Sequence, residues 1–135
     1  MQMRMIVAAA VLVSAGVHLT MWFNGVRSQH VIGPAFMFNA VAGVVIAVLL
    51  VAWRHWIPLF LATGFGLSTL GAFIVSTTVG LFGVHDHWAG GYVWTAATAE
   101  TVAILLGGTL LLRALPQRSS GQPQHGLTLR SSHLH

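Results

Sequence analysis

A chain of 135 residues that is 56% hydrophobic and only 6% charged cannot solvate a globular surface, because soluble domains are about 25% charged. Its net charge of +4 comes from scattered arginines, which do not form the clustered basic face that nucleic-acid binding requires. Cysteine is absent, which excludes disulfides, thiolate metal sites and cysteine nucleophiles. The composition therefore predicts an integral membrane protein whose main partner is the lipid bilayer and not nucleic acid.

Four apolar runs follow one another along the chain, each long enough to cross a bilayer as a helix of about 20 residues. Their predicted bounds are 5–24, 33–53, 57–82 and 91–113. Pro34 and Pro58 stand at the start of the second and third runs, where proline loses no helical hydrogen bond. Short loops favour antiparallel neighbours. We therefore expect an all-α four-helix bundle over residues 1–115 and a flexible polar tail over residues 116–135.

The first run has a rival interpretation as a secretory signal peptide. Arg4 would be its basic start, and the small residues Val13, Ser14 and Ala15 would form a cleavage site. The apolar character continues beyond Ala15 to Phe23, which is longer than a signal peptide needs. A spanning helix is therefore the favoured interpretation, and cleavage remains the alternative.

The arginines predict an orientation for the four spans. Arg27 alone lies in a loop on one side, and the arginines that fall on the other side are Arg4, Arg54, Arg113, Arg118 and Arg130. Because cytoplasmic loops carry the excess of Lys and Arg, both termini are expected in the cytoplasm. The lysine-free, Ala/Val/Gly-rich composition is typical of a GC-rich bacterial genome, so we expect a multi-pass protein of a bacterial plasma membrane.

Glu100 is the only acidic residue within a predicted span, and a carboxylate there costs about 2.5–3.5 kcal/mol on insertion scales. It shares one helical face with Ala96, Ala103 and Gly107. Small residues mark where membrane helices touch, so we expect Glu100 to face the interior of the bundle. On the third span, the small residues expected at a helix contact are Gly64, Ser68, Gly71 and Ala72.

Polar residues on the other three spans lie at a depth similar to that of Glu100. Counting about 1.5 Å per residue from the outer ends puts Glu100 at about 13 Å and the others at about 9 Å. These others are His18, Asn39, Thr77 and Thr78. The pattern predicts a ligand or proton site that opens to the outside, with His18 facing Glu100. Hydrogen bonding that merely joins the helices is the alternative, and we favour it for Asn39, Thr77 and Thr78.

Histidines in the two outer loops suggest a second kind of site. His85, Asp86 and His87 lie in the third loop and His30 lies in the first. Imidazole and carboxylate are suitable ligands for Zn or Cu(II), so these four could converge on a metal at the mouth of the bundle. Haem bound through His18 and a loop histidine is a more remote hypothesis, because no C-x-x-C-H motif supports it. A solvated loop near the headgroups is the alternative to both.

No nucleotide-binding, metalloprotease or serine-hydrolase motif occurs in the chain, and two acids in all leave no paired acid–base site in the membrane. We therefore expect a non-enzymatic binding or accessory protein with an outer-leaflet pocket for a small ligand or a partner helix. A metal- or haem-binding protein and a small oligomeric proton-coupled transporter are the alternatives. Because no soluble domain is expected, a homo-oligomer or a subunit of a larger membrane complex is anticipated.

Overall fold

The computed structural model describes residues 1–83 and 85–116, and this part of the chain is all-helical. Four long helices and one short 3₁₀ helix, Val26–Ser28, make up the described elements. The long helices are α1 (Gln2–Phe23), α2 (Ile32–Ala52), α3 (Ile57–Thr78) and α4 (Gly91–Ala114). Each is long and apolar enough to cross a membrane, as the four apolar runs predict. All but the first residue of the expected tail lies outside the described residues.

Helix α3 ends at Thr78, four residues before the predicted end of the third span. Gly80 adopts a φ of +84° and its N–H donates to the carbonyl of Val75 at 3.1 Å. A glycine in this left-handed region commonly ends a helix. The four residues that the apolar pattern adds to the span therefore belong to the connection between α3 and α4.

Helices α1 and α4 run in opposite directions, because Ser14 bonds to Glu100 and Val7 lies near Gly107. Helix α1 packs against both α2 and α4, and α3 packs mainly against α4. The contact between α2 and α3 is much less extensive, although a short connection joins them. We call the end that holds the α1–α2 and α3–α4 connections the upper end, and the end that holds the α2–α3 connection the lower end. This packing is compatible with the expected four-helix bundle.

The lower half of the molecule contains a closely packed apolar core. Its fully buried side chains include Val7 and Val11 from α1, Leu50 from α2 and Leu59 from α3. Ala103 from α4 completes the core with no exposed surface. Cleavage after the small residues of the rival signal-peptide interpretation would remove Val7 and Val11 from this core.

Arg4 links the lower ends of α1 and α2 by hydrogen bonds. Its guanidinium donates to the carbonyl oxygens of Leu50 at 3.2 Å, Trp53 at 2.8 Å and His55 at 3.2 Å. The last carbonyls of a helix have no partner within the helix. Arg4 thus satisfies main-chain groups at the end of α2 and in the connection to α3.

Large apolar side chains cover the outer surface of the helices. Phe38 is 75% exposed and Leu112 is 73% exposed, on helices at opposite sides of the packing. Exposed large apolar side chains occur on all four helices, and extensive apolar surface is rare on soluble monomers. The surface is therefore suited to lipid.

The sequence predicts that Gly64, Ser68, Gly71 and Ala72 on α3 lie at a contact with another helix, and this prediction is wrong. Added Cβ atoms at Gly64 and Gly71 would meet nothing within 4 Å, and Ser68 and Ala72 are exposed. The close approach occurs instead at Gly66, where an added Cβ would lie 2.9 Å from the main-chain oxygen of Glu100. Ser68 and Ala72 instead line a cavity between α2 and α3, two helices that make few contacts with each other.

Candidate functional site

The carboxyl of Glu100 is enclosed by the helix packing. Glu100 is only 3% exposed, and Ala103 and Gly107 on the same face are also buried. Gly107 packs between α1 and α3, since an added Cβ would lie 3.0 Å from the Thr63 hydroxyl oxygen and 3.7 Å from a methyl group of Val7. These small residues bring the three helices together and leave the carboxyl in contact with α1.

Ser14 on α1 meets this carboxyl directly. The Ser14 hydroxyl donates to Oε1 of Glu100 at 3.0 Å, and Ser14 is fully buried. A buried carboxyl without a hydrogen-bond partner would be costly in apolar surroundings. Ser14 therefore supplies part of the stabilisation that an intramembrane acid requires.

His18 lies one helical turn beyond Ser14 and joins the same network. Its Nδ1 is 2.8 Å from the main-chain oxygen of Ser14 and 3.4 Å from the Ser14 hydroxyl. A carbonyl oxygen only accepts, so Nδ1 carries the hydrogen and Nε2 is an acceptor in the neutral ring. The ring also packs against Phe36, with centroids 4.9 Å apart. His18 and Glu100 are thus connected through Ser14 rather than paired directly as the depth pattern predicts.

Both acids of the chain line one cavity, which we call the acid cavity. It has a volume of about 50 Å³, enough for one or two groups the size of water, each of which takes about 30 Å³ in the liquid. Glu100, His18 and Thr69 contribute polar groups from three different helices, and Asp86 contributes the second carboxyl. The remaining wall is apolar and comes from Met21, Phe36, Phe73, Val93, Ala96 and Ala97.

The α3–α4 connection folds over this cavity. The Ser76 hydroxyl donates to Oδ2 of Asp86 at 3.0 Å. Trp88 packs edge-on against Phe73, with ring centroids 4.7 Å apart, and against Trp94 at 5.3 Å. The Ser76 hydrogen bond and the Trp88 ring contacts hold Asp86 against the helices. The sequence, which places Asp86 between two histidines, predicts an exposed metal ligand instead.

A second cavity, which we call the seam cavity, lies between α2 and α3. Its volume is about 250 Å³, and it shares part of its wall with the acid cavity, including His18, Phe36 and Asp86. Asn39 lines it, and the amide nitrogen Nδ2 of Asn39 is buried without a hydrogen-bond partner. The weak contact between α2 and α3 therefore leaves a space that contains an unsatisfied polar group.

Thr77 and Thr78 do not contribute to either cavity. The Thr77 hydroxyl donates to the carbonyl of Ile74 at 3.0 Å, and the Thr78 hydroxyl donates to the same oxygen at 2.8 Å. Each hydroxyl is thus used within α3. Ser76 faces the interior instead, because a helix turns by about 100° per residue. The assignment of Thr77 and Thr78 as hydrogen-bond partners of the site therefore stays a prediction, to which these bonds within α3 add no support.

The loop histidines are exposed at the upper end. His30 follows the 3₁₀ helix, His85 packs against Gly80, and His87 lies beyond Asp86. Within residues 1–83 and 85–116, no three His, Asp or Glu side chains come close enough together to hold a metal ion. The metal hypothesis for these three residues and Asp86 therefore gains no support from the described loops.

The site can do two things chemically. The acid cavity has room for a small polar group and is lined by both carboxyls and the imidazole. The Glu100 carboxyl and the His18 imidazole can each gain or lose a proton, and the Ser14 hydroxyl lies between them. No known protein family, curated protein or solved structure matches the chain.

Proposed function

We propose that this chain is a non-enzymatic integral membrane binding protein that holds a small polar ligand, or the polar group of an amphipathic ligand, in the acid cavity. One observation carries the proposal: Glu100, Asp86 and His18 line a single cavity between helices that are long and apolar enough to span a membrane. Intramembrane ionisable residues are by default functional candidates. Pockets with a few convergent polar groups in an apolar wall are the usual form of ligand sites.

The proposed arrangement is an antiparallel four-helix bundle in a bacterial plasma membrane, with both termini in the cytoplasm. Arg4, Arg54 and Arg113 lie at the lower end, and Arg27 lies at the upper end. The excess of arginine supports a cytoplasmic lower end. The acid cavity then lies in the outer leaflet.

Binding accounts for the geometry better than transport through a single chain. Val7, Val11, Leu50 and Leu59 fill the lower half and are almost fully buried. A carrier has to expose its site to both sides in turn, and this apolar core would have to open each time. A proton-coupled transporter remains a second proposal only as an assembly of several chains.

A partner protein or a second copy of the chain belongs to the same proposal. Two grooves on the outer surface flank α1, one against α4 with a volume of about 550 Å³ and one against α2 of about 410 Å³. Both are lined by Ala9. Small residues allow membrane helices to approach closely, so α1 is the proposed contact helix for an oligomer or a complex.

Copurification tests the proposed function. The wild-type chain, Glu100→Gln and the control Thr101→Val are purified from membranes of the host that encodes them, and bound small molecules are identified by native and liquid-chromatography mass spectrometry. Thr101 lies next to Glu100, but its hydroxyl donates within α4, to Ala97. We expect a stoichiometric small molecule in the wild type and the control and its loss in Glu100→Gln. Equal retention in all three, or no bound molecule in any, would contradict the proposal.

A further inference from the structure

The two cavities differ in character, and together they define a ligand with two different ends. The acid cavity is small and rich in acceptors, and the adjoining seam cavity is larger and mostly apolar. We propose that the ligand is a protonated amphipathic amine, with its ammonium group in the acid cavity and its apolar chain in the seam cavity. This inference rests on the proposed binding function and names the class of ligand.

The donor and acceptor balance of the acid cavity favours a cation. The hydroxyls of Ser14 and Ser76 already donate to Glu100 and Asp86. The Thr69 hydroxyl lies within hydrogen-bond distance of the Phe65 and Gly66 carbonyls and also bonds to the Glu100 carboxyl. The Nδ1 hydrogen of His18 is donated to the Ser14 carbonyl. An ionised carboxyl has about four acceptor positions and no donor, and Nε2 of a neutral His18 ring is a further acceptor. The wall therefore offers spare acceptors and no spare donor hydrogen from these groups.

An ammonium group has the complementary property, because it carries three donors and no acceptor. It also suits the size of the acid cavity, about 50 Å³. The aromatic side chains of Phe36 and Phe73 line the same cavity, and a cation within about 6 Å of an aromatic ring is attracted to its face. A carboxylate or phosphate would meet two carboxyls with no cationic side chain beside them among the lining residues.

Among residues 1–83 and 85–116, no arginine lines the acid cavity. Arg4 is bonded to carbonyl oxygens at the lower end. Arg27 lies exposed in the α1–α2 connection, and the described residues include no ion pair between an arginine and either acid. The two acids are the only negative side chains of the protein. A cation bound in their shared cavity would balance the charge of these carboxyls in their ionised form.

The seam cavity provides the path and the site for the apolar part of the ligand. Phe38, Ser68 and Ala72 line it and are exposed on the outer surface, so it opens sideways between α2 and α3. An amphipathic amine dissolved in the outer leaflet can enter there without crossing water. The unpartnered Nδ2 of Asn39 lies along this path, so an acceptor oxygen on the chain of the ligand would satisfy it.

Calorimetric titration with matched eight-carbon probes tests this inference. The full chain is placed in phosphatidylcholine nanodiscs and titrated with octylammonium, 1-octanol or octanoate, with empty nanodiscs subtracted. We expect saturable binding of octylammonium to the wild type, and binding of the other two about tenfold weaker or more. Asp86→Asn and Glu100→Gln should each weaken octylammonium binding by a similar factor, and Thr101→Val should not.

Two results would overturn the inference. Octanol or octanoate binding as tightly as octylammonium would show that the cavity does not select a cation. If neither Asp86→Asn nor Glu100→Gln changed octylammonium binding, the amine would bind at a site other than the acid cavity. Because Asp86 lies outside the helices, its variant keeps the test valid even if Glu100→Gln fails to fold. Either result leaves the copurification test of the proposed function intact, so failure of the ligand class is distinguishable from failure of binding.

Discussion

Ser14 and Glu100 are 86 positions apart in the chain, and the hydroxyl of one donates to the carboxyl of the other at 3.0 Å. This bond joins the first helix to the last at the boundary between the apolar core and the acid cavity. Both residues are buried. A buried carboxyl keeps its position only if its neighbours satisfy it, so Ser14 is central to the geometry of the site.

Replacing Ser14 by alanine is expected to lower the free energy of unfolding by about 1 kcal/mol, because the buried carboxyl loses a donor. The measurement is reversible unfolding in mixed micelles with increasing dodecyl sulfate. Thr101→Val is the matched control, because it also removes one hydroxyl and that hydroxyl bonds within its own helix. An equal effect in the two variants would mean that the bond between helices contributes nothing specific.

Much of the helical framework could be predicted because it follows from local pattern. Apolar run length predicts four helices, and helical spacing predicts the buried face of Glu100 from Ala103 and Gly107. The third helix shows where the pattern fails, because apolar residues continue past Gly80 and only its backbone conformation ends the helix. The choice among small residues on α3 failed for a related reason. Gly64 and Gly66 look alike in sequence, and only tertiary packing decides which one meets α4.

The site was harder to predict, because its parts come from residues with no distinctive sequence signal. Ser14 is one small residue within an apolar run, and its only signal is its position one turn before His18. Its place between two histidines makes Asp86 look like a metal ligand in the sequence. In the structure it accepts a hydrogen bond from Ser76 and lines the acid cavity. Ser76, Thr77 and Thr78 are adjacent hydroxyl residues, and the rotation of α3 alone selects the first.

Gly66→Ala is expected to destabilise the protein by about 1–3 kcal/mol, as overpacking does elsewhere. Its new methyl group would lie 2.9 Å from the Glu100 carbonyl oxygen and 2.9 Å from Ile104, which forces α3 and α4 apart. Gly64→Ala meets nothing within 4 Å and should be neutral or stabilising by up to about 1 kcal/mol through helix propensity. Thermal unfolding in detergent compares them. Destabilisation by Gly64→Ala and not by Gly66→Ala would reverse the assignment of the helix contact.

Arg4→Ala is expected to destabilise the lower end by about 1–2 kcal/mol, because three main-chain carbonyls lose a charged donor. Arg4→Lys should recover only part of this, since a lysine cannot reproduce the planar arrangement of donors. Hydrogen exchange at the α2–α3 connection, followed by mass spectrometry, measures the effect locally. Arg113→Ala removes an exposed arginine at the same end and is the control. If the α2–α3 connection were equally protected from hydrogen exchange in the Arg4 and Arg113 variants, the Arg4 hydrogen bonds would not stabilise it.

The proposed orientation is testable without background labelling, because the chain has no cysteine. Ser28→Cys places a thiol in the 3₁₀ helix at the upper end, and His55→Cys places one in the α2–α3 connection at the lower end. A membrane-impermeant maleimide added to intact cells should label Ser28→Cys, and His55→Cys should react only after lysis. The opposite pattern would invert the proposed topology and move the acid cavity to the cytoplasmic leaflet.

The most direct test of the central claim is the infrared spectrum of the Glu100 carboxyl, bonded to Ser14 inside the acid cavity. Glu100 is the only glutamate of the chain, so ¹³C-labelling of glutamate isolates its band in the reconstituted protein. We predict that the band shifts in Ser14→Ala, that it stays unchanged in Thr101→Val, and that it responds to octylammonium in the wild type. A band that is identical in the wild type and Ser14→Ala and resembles that of a carboxyl in water would contradict the account.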